Sequence, residues 1–341
     1  MTDDQTRQWR LASRPTGEPT DDDFELVTVD RPTPGPGEVL LRTLYLSVDP
    51  YMRGRMSDAE SYAEPWGVGE PMEAGVVGEV VESNHDAFAP GDVATGNLLW
   101  ADHAVADGDE LRQVDPDLAP ISTALGVLGM TGITGYVGMT DVVEPDPGDT
   151  VVVSGAAGAV GSVAGQVASL AGARVVGVAG SDGKCDWLTD DLGFDAAVNY
   201  ADSDDLGAAV AEACPDGVDG YFDNVGGPVT DAVWGLLNRN ARVGVCGQIS
   251  QYNATEQPTG PRKLAQLIQT RATVQGFLVG DYRDRWGHAL ERLGGFVRRG
   301  ELRYEESVVE GLENAPDAFL GLFEGENVGK QLVRVGERTQ G

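Results

Sequence analysis

Along this 341-residue chain the spacing of apolar positions changes once, from a period of two to an alternation of strand and helix. Before about residue 127 the pattern is that of half-buried strands. Glu38–Val48 alternates apolar and polar positions, Val76–Val81 repeats the signal, and Phe88-Ala89-Pro90-Gly91-Asp92-Val93 is a turn leading into another strand. Ile121–Met139 has helical spacing but is rich in glycine and small residues. From Thr150 the periods interleave. Val151–Ser154, Arg174–Val178, Ala196–Asn199, Gly220–Asp223 and Arg242–Cys246 read as strands, with Val274–Val279 as the last. Val160–Leu170, Lys184–Leu192, Asp204–Ala213 and Val229–Leu237 read as the helices between them, and Asp281–Arg299 as a further helix. The expected fold class is α/β: a doubly wound parallel sheet, with ligands at the carboxyl ends of its strands, plus a β-rich domain. The expected domains are 1–127, 128–300 and a C-terminal return to the first, 301–341.

The first strand runs into Ala156-Ala157-Gly158-Ala159-Val160-Gly161, where a dinucleotide fold carries G-x-G-x-x-G, here with alanine in the first slot. Gly158 lets backbone approach a pyrophosphate, Gly161 lets helix and strand pack closely, and the free N–H groups of the helix face the anion. The same residues would also make a tight strand-to-helix turn in another α/β protein. Their place between a clear strand and a clear helix favours a nucleotide site. The second strand selects the nucleotide. An NAD site places an acid near its end; here Ala179-Gly180-Ser181-Asp182-Gly183-Lys184 opens the position and follows it with a cation. That suits a 2′-phosphate, with Ser181 and Asp182 read as helix-capping residues. Lys184 reads either as a solvated surface lysine or as the phosphate ligand. The chain has only three lysines (Lys184, Lys263, Lys330) against twenty-one arginines, which points to a specific task.

Composition narrows the partners. With 24 basic and 55 acidic residues the formal charge is −31, a field that repels nucleic acid and anionic membranes. The acids are spread along the chain, and excess Asp with few lysines and abundant Gly and Ala suits a high-salt cytoplasm. Cys185, Cys214 and Cys246 lie in unrelated contexts and imply neither a disulfide framework nor a zinc ribbon. The N-terminal stretch has no apolar signal core, and no run approaches the roughly 18 apolar residues of a membrane span. The expected setting is the cytoplasm.

Long segments now carry a resemblance: LYLSVDPYMRGRM (44–56), GMTGITGY (129–136), SGAAGAVGSVAGQVA (154–168), GSDGKCDWL (180–188), FDNVGG (222–227), CGQISQYN (246–253), QGFLVGDY (275–282) and NVGKQLVRV (327–335). In these the chain resembles the zinc-free medium-chain dehydrogenase/reductase superfamily. The likeness is to the branch of prostaglandin and leukotriene reductases and of curcumin and alkenal double-bond reductases. It implies a GroES-like substrate domain beside a Rossmann domain, NADP as cofactor, and a homodimer. It places the pyrophosphate on Gly158, Ala159, Val160 and Gly161, and the 2′-phosphate on Lys184 and Tyr200. It puts Asn224 beside the cofactor, and lines the nicotinamide side with Cys246, Gly247, Gln248, Ile249, Ser250 and Tyr252. Phe277, Leu278 and Val279 would touch the nicotinamide end, with Asn327 reaching in from the C-terminal segment. On the residues alone Tyr200 is equally a strand-end aromatic, Asn224 a turn residue, and Cys246 a small core residue making a backbone contact. Gly183 departs from the acid frequent in relatives, which suits a phosphate nearby.

No cysteine precedes Cys185, and His85 and His103 stand alone, so the expected chemistry uses no metal. A conjugated ketone or aldehyde needs none. NADPH delivers hydride to the β-carbon, and the protein aligns the substrate and stabilises the enolate. The resemblance points to Tyr252, with the cofactor's ribose hydroxyl, as the enolate-side donor, and Tyr51 as a further one; Tyr252 is alternatively a plain loop aromatic. The expected substrate is a small apolar or aromatic enone or enal. A quinone oxidoreductase and a weakly catalytic NADPH-binding sensor are the competing readings.

Overall fold

The computed structural model describes residues 4–339. Six parallel strands form one sheet: β1 (Thr150–Ser154), β2 (Arg174–Ala179), β3 (Ala196–Asn199), β4 (Val218–Asp223), β5 (Leu237–Val245) and β6 (Thr273–Gly276). Their order across the sheet is β3-β2-β1-β4-β5-β6. Chain order reverses between β1 and β4, so the crevice at the strands' carboxyl ends opens there. The run of valines in β1 is explained by burial on both faces. Val151 and Val153 point into one core with Val163, Ala164 and Val167 of the helix Ala159–Leu170, whereas Val152 points into the opposite core with Val176, Tyr221 and Val233.

Four elements differ from the sequence reading. Leu237, spaced as the end of a helix, begins β5; the helix is Gly227–Trp234, started two residues early by Pro228 at its first turn. The last strand stops at Gly276. Phe277 then turns inward onto Phe222, at a centroid distance of 5.9 Å, and Trp286 Nε1 donates to Val279 O (3.0 Å). Residues Val279–Arg285 are accordingly 3-10 turns, and the α-helix runs Trp286–Arg298. The segment from Lys184 is one α-turn, Asp182–Asp186, continued as a π-helical stretch, Trp187–Asp191.

The chain divides into two compact units. The parallel sheet belongs to residues 126–305 together with 327–330; the other unit comprises the residues up to Leu125, Glu306–Glu326 and those from Gln331 onward. The segments 301–305 and 327–330 thus lie with the sheet rather than with the C-terminal return expected from residue 301. The other unit is β-rich. Glu38–Ser47 pairs antiparallel with Glu73–Ser83, with His103–Asp107 and with the returning Lys330–Arg334. Its core is aromatic: Phe319 of the helix Ala315–Glu324 meets Trp100 and Phe24 edge-on at 6.2 and 6.3 Å. No helix among the described residues is long and apolar enough to cross a membrane.

Candidate functional site

The turn after β1 sets the first part of the site. Gly155 takes φ +57°, and a Cβ on Gly161 would overlap the Gly155 carbonyl oxygen, so only glycine lets the helix start this close to the strand. Gly158 is the extended residue before the helix Ala159–Leu170, and no side chain caps it. The N–H groups of Ala159, Val160 and Gly161 therefore lack intrahelical partners at the positive end of a 12-residue helix. Gly329 locks the turn from the far end of the chain, donating its N–H to Ala157 O (2.8 Å) and bridging Gly158. Asn327 lies two residues away with its Nδ2 turned onto Gly329 O (2.8 Å), which puts it in the segment paired with the glycine turn.

Lys184 and Tyr200 follow β2 and β3. Ser181 is the N-cap, its Oγ accepting from Lys184 N (3.4 Å). Asp182 is not a second cap: it is the first helical residue, and its carboxylate accepts from Asn199 Nδ2 (2.8 Å). Lys184 is half-buried, and that burial lowers its ammonium pKa. Tyr200 donates its N–H to Ala179 O (3.0 Å) and is 46 % exposed, its ring beside Gly180.

The third part gathers at the ends of β4 and β5 around Asp223, 1 % exposed, which the sequence reading did not single out. Its Oδ1 accepts from Ser154 Oγ (2.9 Å), Tyr221 Oη (2.9 Å), Val225 N (3.0 Å) and Gly226 N (2.9 Å). Its Oδ2 accepts from Thr230 Oγ1 (2.7 Å) and Gln248 Nε2 (3.0 Å). One carboxylate therefore joins β1, the turn after β4 and the loop after β5. Asn224 is fixed beside the glycine turn, its N–H on Ser154 Oγ (2.9 Å) and its Nδ2 on Ser154 O (2.7 Å).

The loop 246–252 hangs on the same strand end. Cys246 N and Gly247 N donate to Asp223 O (2.8 and 3.1 Å), Ile249 N to Asn224 O (3.3 Å), and Ser250 Oγ to Val225 O (2.6 Å). Burial, with the Asp223 charge adding to it, pushes the Cys246 thiol up to about 12, so this sulfur stays protonated and is no nucleophile. Tyr252 Oη accepts from Gln248 N (3.3 Å), and burial raises its phenol pKa. Phe277 is buried, Leu278 39 % exposed, and Val279 opens the 3-10 turns. Tyr51 belongs to the other unit, where it precedes the short helix Met52–Arg55 and burial raises its phenol pKa.

An uncapped helix N-terminus at the sheet's reversal point, with a lysine and a tyrosine beyond the next two strands, defines a dinucleotide-binding oxidoreductase domain. Residues 7–114 match the family described as the N-terminal domain of oxidoreductase, and residues 159–294 the family described as zinc-binding dehydrogenase. Among the described residues no group of three or more His, Cys, Asp or Glu side chains is placed to hold a metal ion. The Bacillus subtilis protein YfmJ is 53 % identical, covering 97 % of this chain and 98 % of its own. The NADPH-dependent curcumin reductase of Escherichia coli is 47 % identical over 96 % of each. The crystal structure of CurA from Vibrio vulnificus in complex with NADPH superposes with a TM-score of 0.93 at 48 % identity, covering 97 % of this chain and 99 % of that one. The chain belongs to the medium-chain dehydrogenase/reductase superfamily, in the branch of prostaglandin and leukotriene reductases and of curcumin and alkenal double-bond reductases.

Proposed function

We propose that this chain is an NADPH-dependent reductase of the conjugated C=C bond of α,β-unsaturated ketones and aldehydes. The observation that carries the reading is the Tyr252 phenol. Its oxygen accepts a backbone N–H, while among the described hydrogen bonds its own proton goes to no protein acceptor. With its pKa raised by burial it is a neutral phenol at physiological pH, and accepting a hydrogen bond strengthens it as a donor.

The residues fit the nucleotide. The free N–H groups of Ala159, Val160 and Gly161 suit a pyrophosphate, and the partly desolvated ammonium of Lys184, with Tyr200, suits a 2′-phosphate. Asn224 and the loop 246–252, both tied to Asp223, form the nicotinamide side. When bound, NADPH supplies a hydride to the β-carbon of a conjugated acceptor, and negative charge then develops on the acceptor's carbonyl oxygen. Tyr252 donates its phenolic proton toward that oxygen, and solvent returns the last proton. The names of the relatives, a curcumin reductase among them, support a small apolar or aromatic substrate.

The test is NADPH consumption in molar KCl with a linear 2-alkenal, a ring enone and a benzoquinone offered separately, and NADH as control. Turnover of the enal or enone with strong preference for NADPH is expected. Turnover of the quinone alone would make the protein a quinone oxidoreductase, and tight NADPH binding without turnover would make it a sensor.

The proposed assembly is a homodimer through β6. All four residues of this edge strand are exposed, Val274 among them, as are Leu278 two residues beyond it and Leu264 and Ile268 at the helix Ala265–Thr270. A bare strand edge of this kind pairs readily with another copy. Light scattering should return twice the 35.9 kDa chain mass, and Val274→Lys should halve it.

A further inference from the structure

The antiparallel unit holds a second concentration of positive charge that the proposed reduction does not use. Strand register sets Arg42 opposite Glu79 on one side and opposite His103 on the other, a row across three neighbouring strands. Residues directly opposite share a face of the sheet. Arg31, Arg338 and Thr339 join this row in lining one cleft, with the exposed Val81 and Pro90 as an apolar wall.

Glu79 is satisfied within the protein. It is 6 % exposed, pairs with the Arg42 guanidinium, and accepts from Thr339 N (3.1 Å) and Thr339 Oγ1 (3.0 Å). Arg31 and Arg338 make no ion pair with a carboxylate among the described residues, in a chain that carries 55 acids. The Nδ1 of His103 is buried and has no hydrogen-bond partner. Burial, with Arg31 and Arg42 facing the ring, lowers the His103 pKa against the pull of Asp102. The cleft is thus a local positive site on a strongly negative molecule.

We propose that this cleft binds a phosphate-bearing small molecule, its oxyanion held by Arg31, Arg338 and His103 and its body lying on Val81 and Pro90. Guanidinium forks match the geometry of a phosphate, whose oxygens accept from several donors at once. All of these residues lie in the unit that lacks the glycine turn, and none of them is among the residues proposed for the nucleotide's phosphates.

The probe is phenyl phosphate, titrated at fixed KCl into protein already saturated with NADPH so that the nucleotide site is blocked. Calorimetry should show one saturable site. In the nitrogen NMR spectrum the ring signals of His103 should move while those of His85 and His288 stay. The double variant Arg31→Gln/Arg338→Gln should weaken binding by about tenfold or more, with far-UV circular dichroism and NADPH turnover unchanged. Absence of saturable binding, an unmoved His103, or equal affinity in the double variant would overturn the proposal. Equally tight binding of inorganic phosphate would overturn the part assigned to Val81 and Pro90.

Discussion

Asp223→Asn tests the organisation of the site with a change of one atom. An asparagine that keeps its oxygen at Oδ1 still accepts from Ser154, Tyr221, Val225 and Gly226, and turns its NH2 toward Thr230 and Gln248. The Thr230 hydroxyl can rotate to accept. Gln248 Nε2 cannot, and faces another donor. Either that contact is lost, or the Gln248 amide flips and breaks its bond from Gln251 Nε2 (3.1 Å). One hydrogen bond to a buried charge disappears, worth about 1.5–3 kcal/mol, and the remaining ones lose their charged acceptor. The expected loss is about 3 kcal/mol, a large share of the roughly 5–15 kcal/mol that holds a domain folded. Urea unfolding in molar KCl measures it. Because Gln248 positions the 246–252 loop, KM for NADPH should rise, while the preference for NADPH over NADH, which we propose rests on Lys184 and Tyr200, should not move. An Asn variant within about 0.5 kcal/mol of the parent, or with unaltered KM, would refute the role given to Asp223.

Tyr252→Phe should lower kcat by about 10²-fold with little change in NADPH affinity, because it removes a donor that acts on developing charge; equal kinetics would take Tyr252 out of the reaction. Lys184→Ala should raise KM for NADPH about 10–100-fold and leave the NADH constants unchanged, as removal of the proposed contact to the 2′-phosphate requires. The buried Cys214 thiol, lifted by burial from 9.0 to about 11 and only partly opposed by Arg174, keeps its proton when the unfolded chain has lost it. Its contribution is therefore whole below pH 9.0 and is lost as the pH rises toward 11; Cys214→Ala should flatten the alkaline fall in unfolding free energy by up to about 2 kcal/mol. At a net charge of −31, Tm should climb from dilute buffer to molar KCl, and an unchanged Tm would dispose of the high-salt reading.

The parallel sheet is legible because each strand–helix step repeats one physical statement: an unbroken β-branched run, then small and apolar residues at helical spacing. β3 lies where the spacing sets it, and the helix after β1 begins one residue early. Errors fall where two periods overlap. Val229–Leu237 satisfies helical spacing throughout, yet Leu237 pairs with Val218 and starts β5. Val274–Val279 reads as one apolar run, but Phe277 gains more from Phe222 and Tyr282 than from continuing an exposed edge. The family resemblance alone puts Asn327 at the nicotinamide end. That its segment pairs with the glycine turn depends on a backbone bond between Gly329 and Ala157, which no local pattern announces.

How visible a functional residue is in the sequence depends on how rare its type is in that composition. Lys184 stands out because two other lysines are its only competition, whereas Asp223 is one of 55 acids and carries no contrast. The signal for Asp223 lies in its neighbours. Tyr221 and Phe222 end a strand that a doubly wound sheet must bury on both faces, so the next acid is carried into the interior. A buried carboxylate must collect donors or neutralise. Val225 and Gly226 supply two of those donors, from a turn in which Gly226 and Gly227 sit at φ +73° and +55°. An acid placed between a buried aromatic strand end and a glycine turn is therefore a structural requirement of the site even where acids are common. The same reasoning applied to Glu79 would have found it too: it sits on Glu73–Ser83 among Val76, Val77 and Val80, and it is buried with Arg42 and Thr339 as donors.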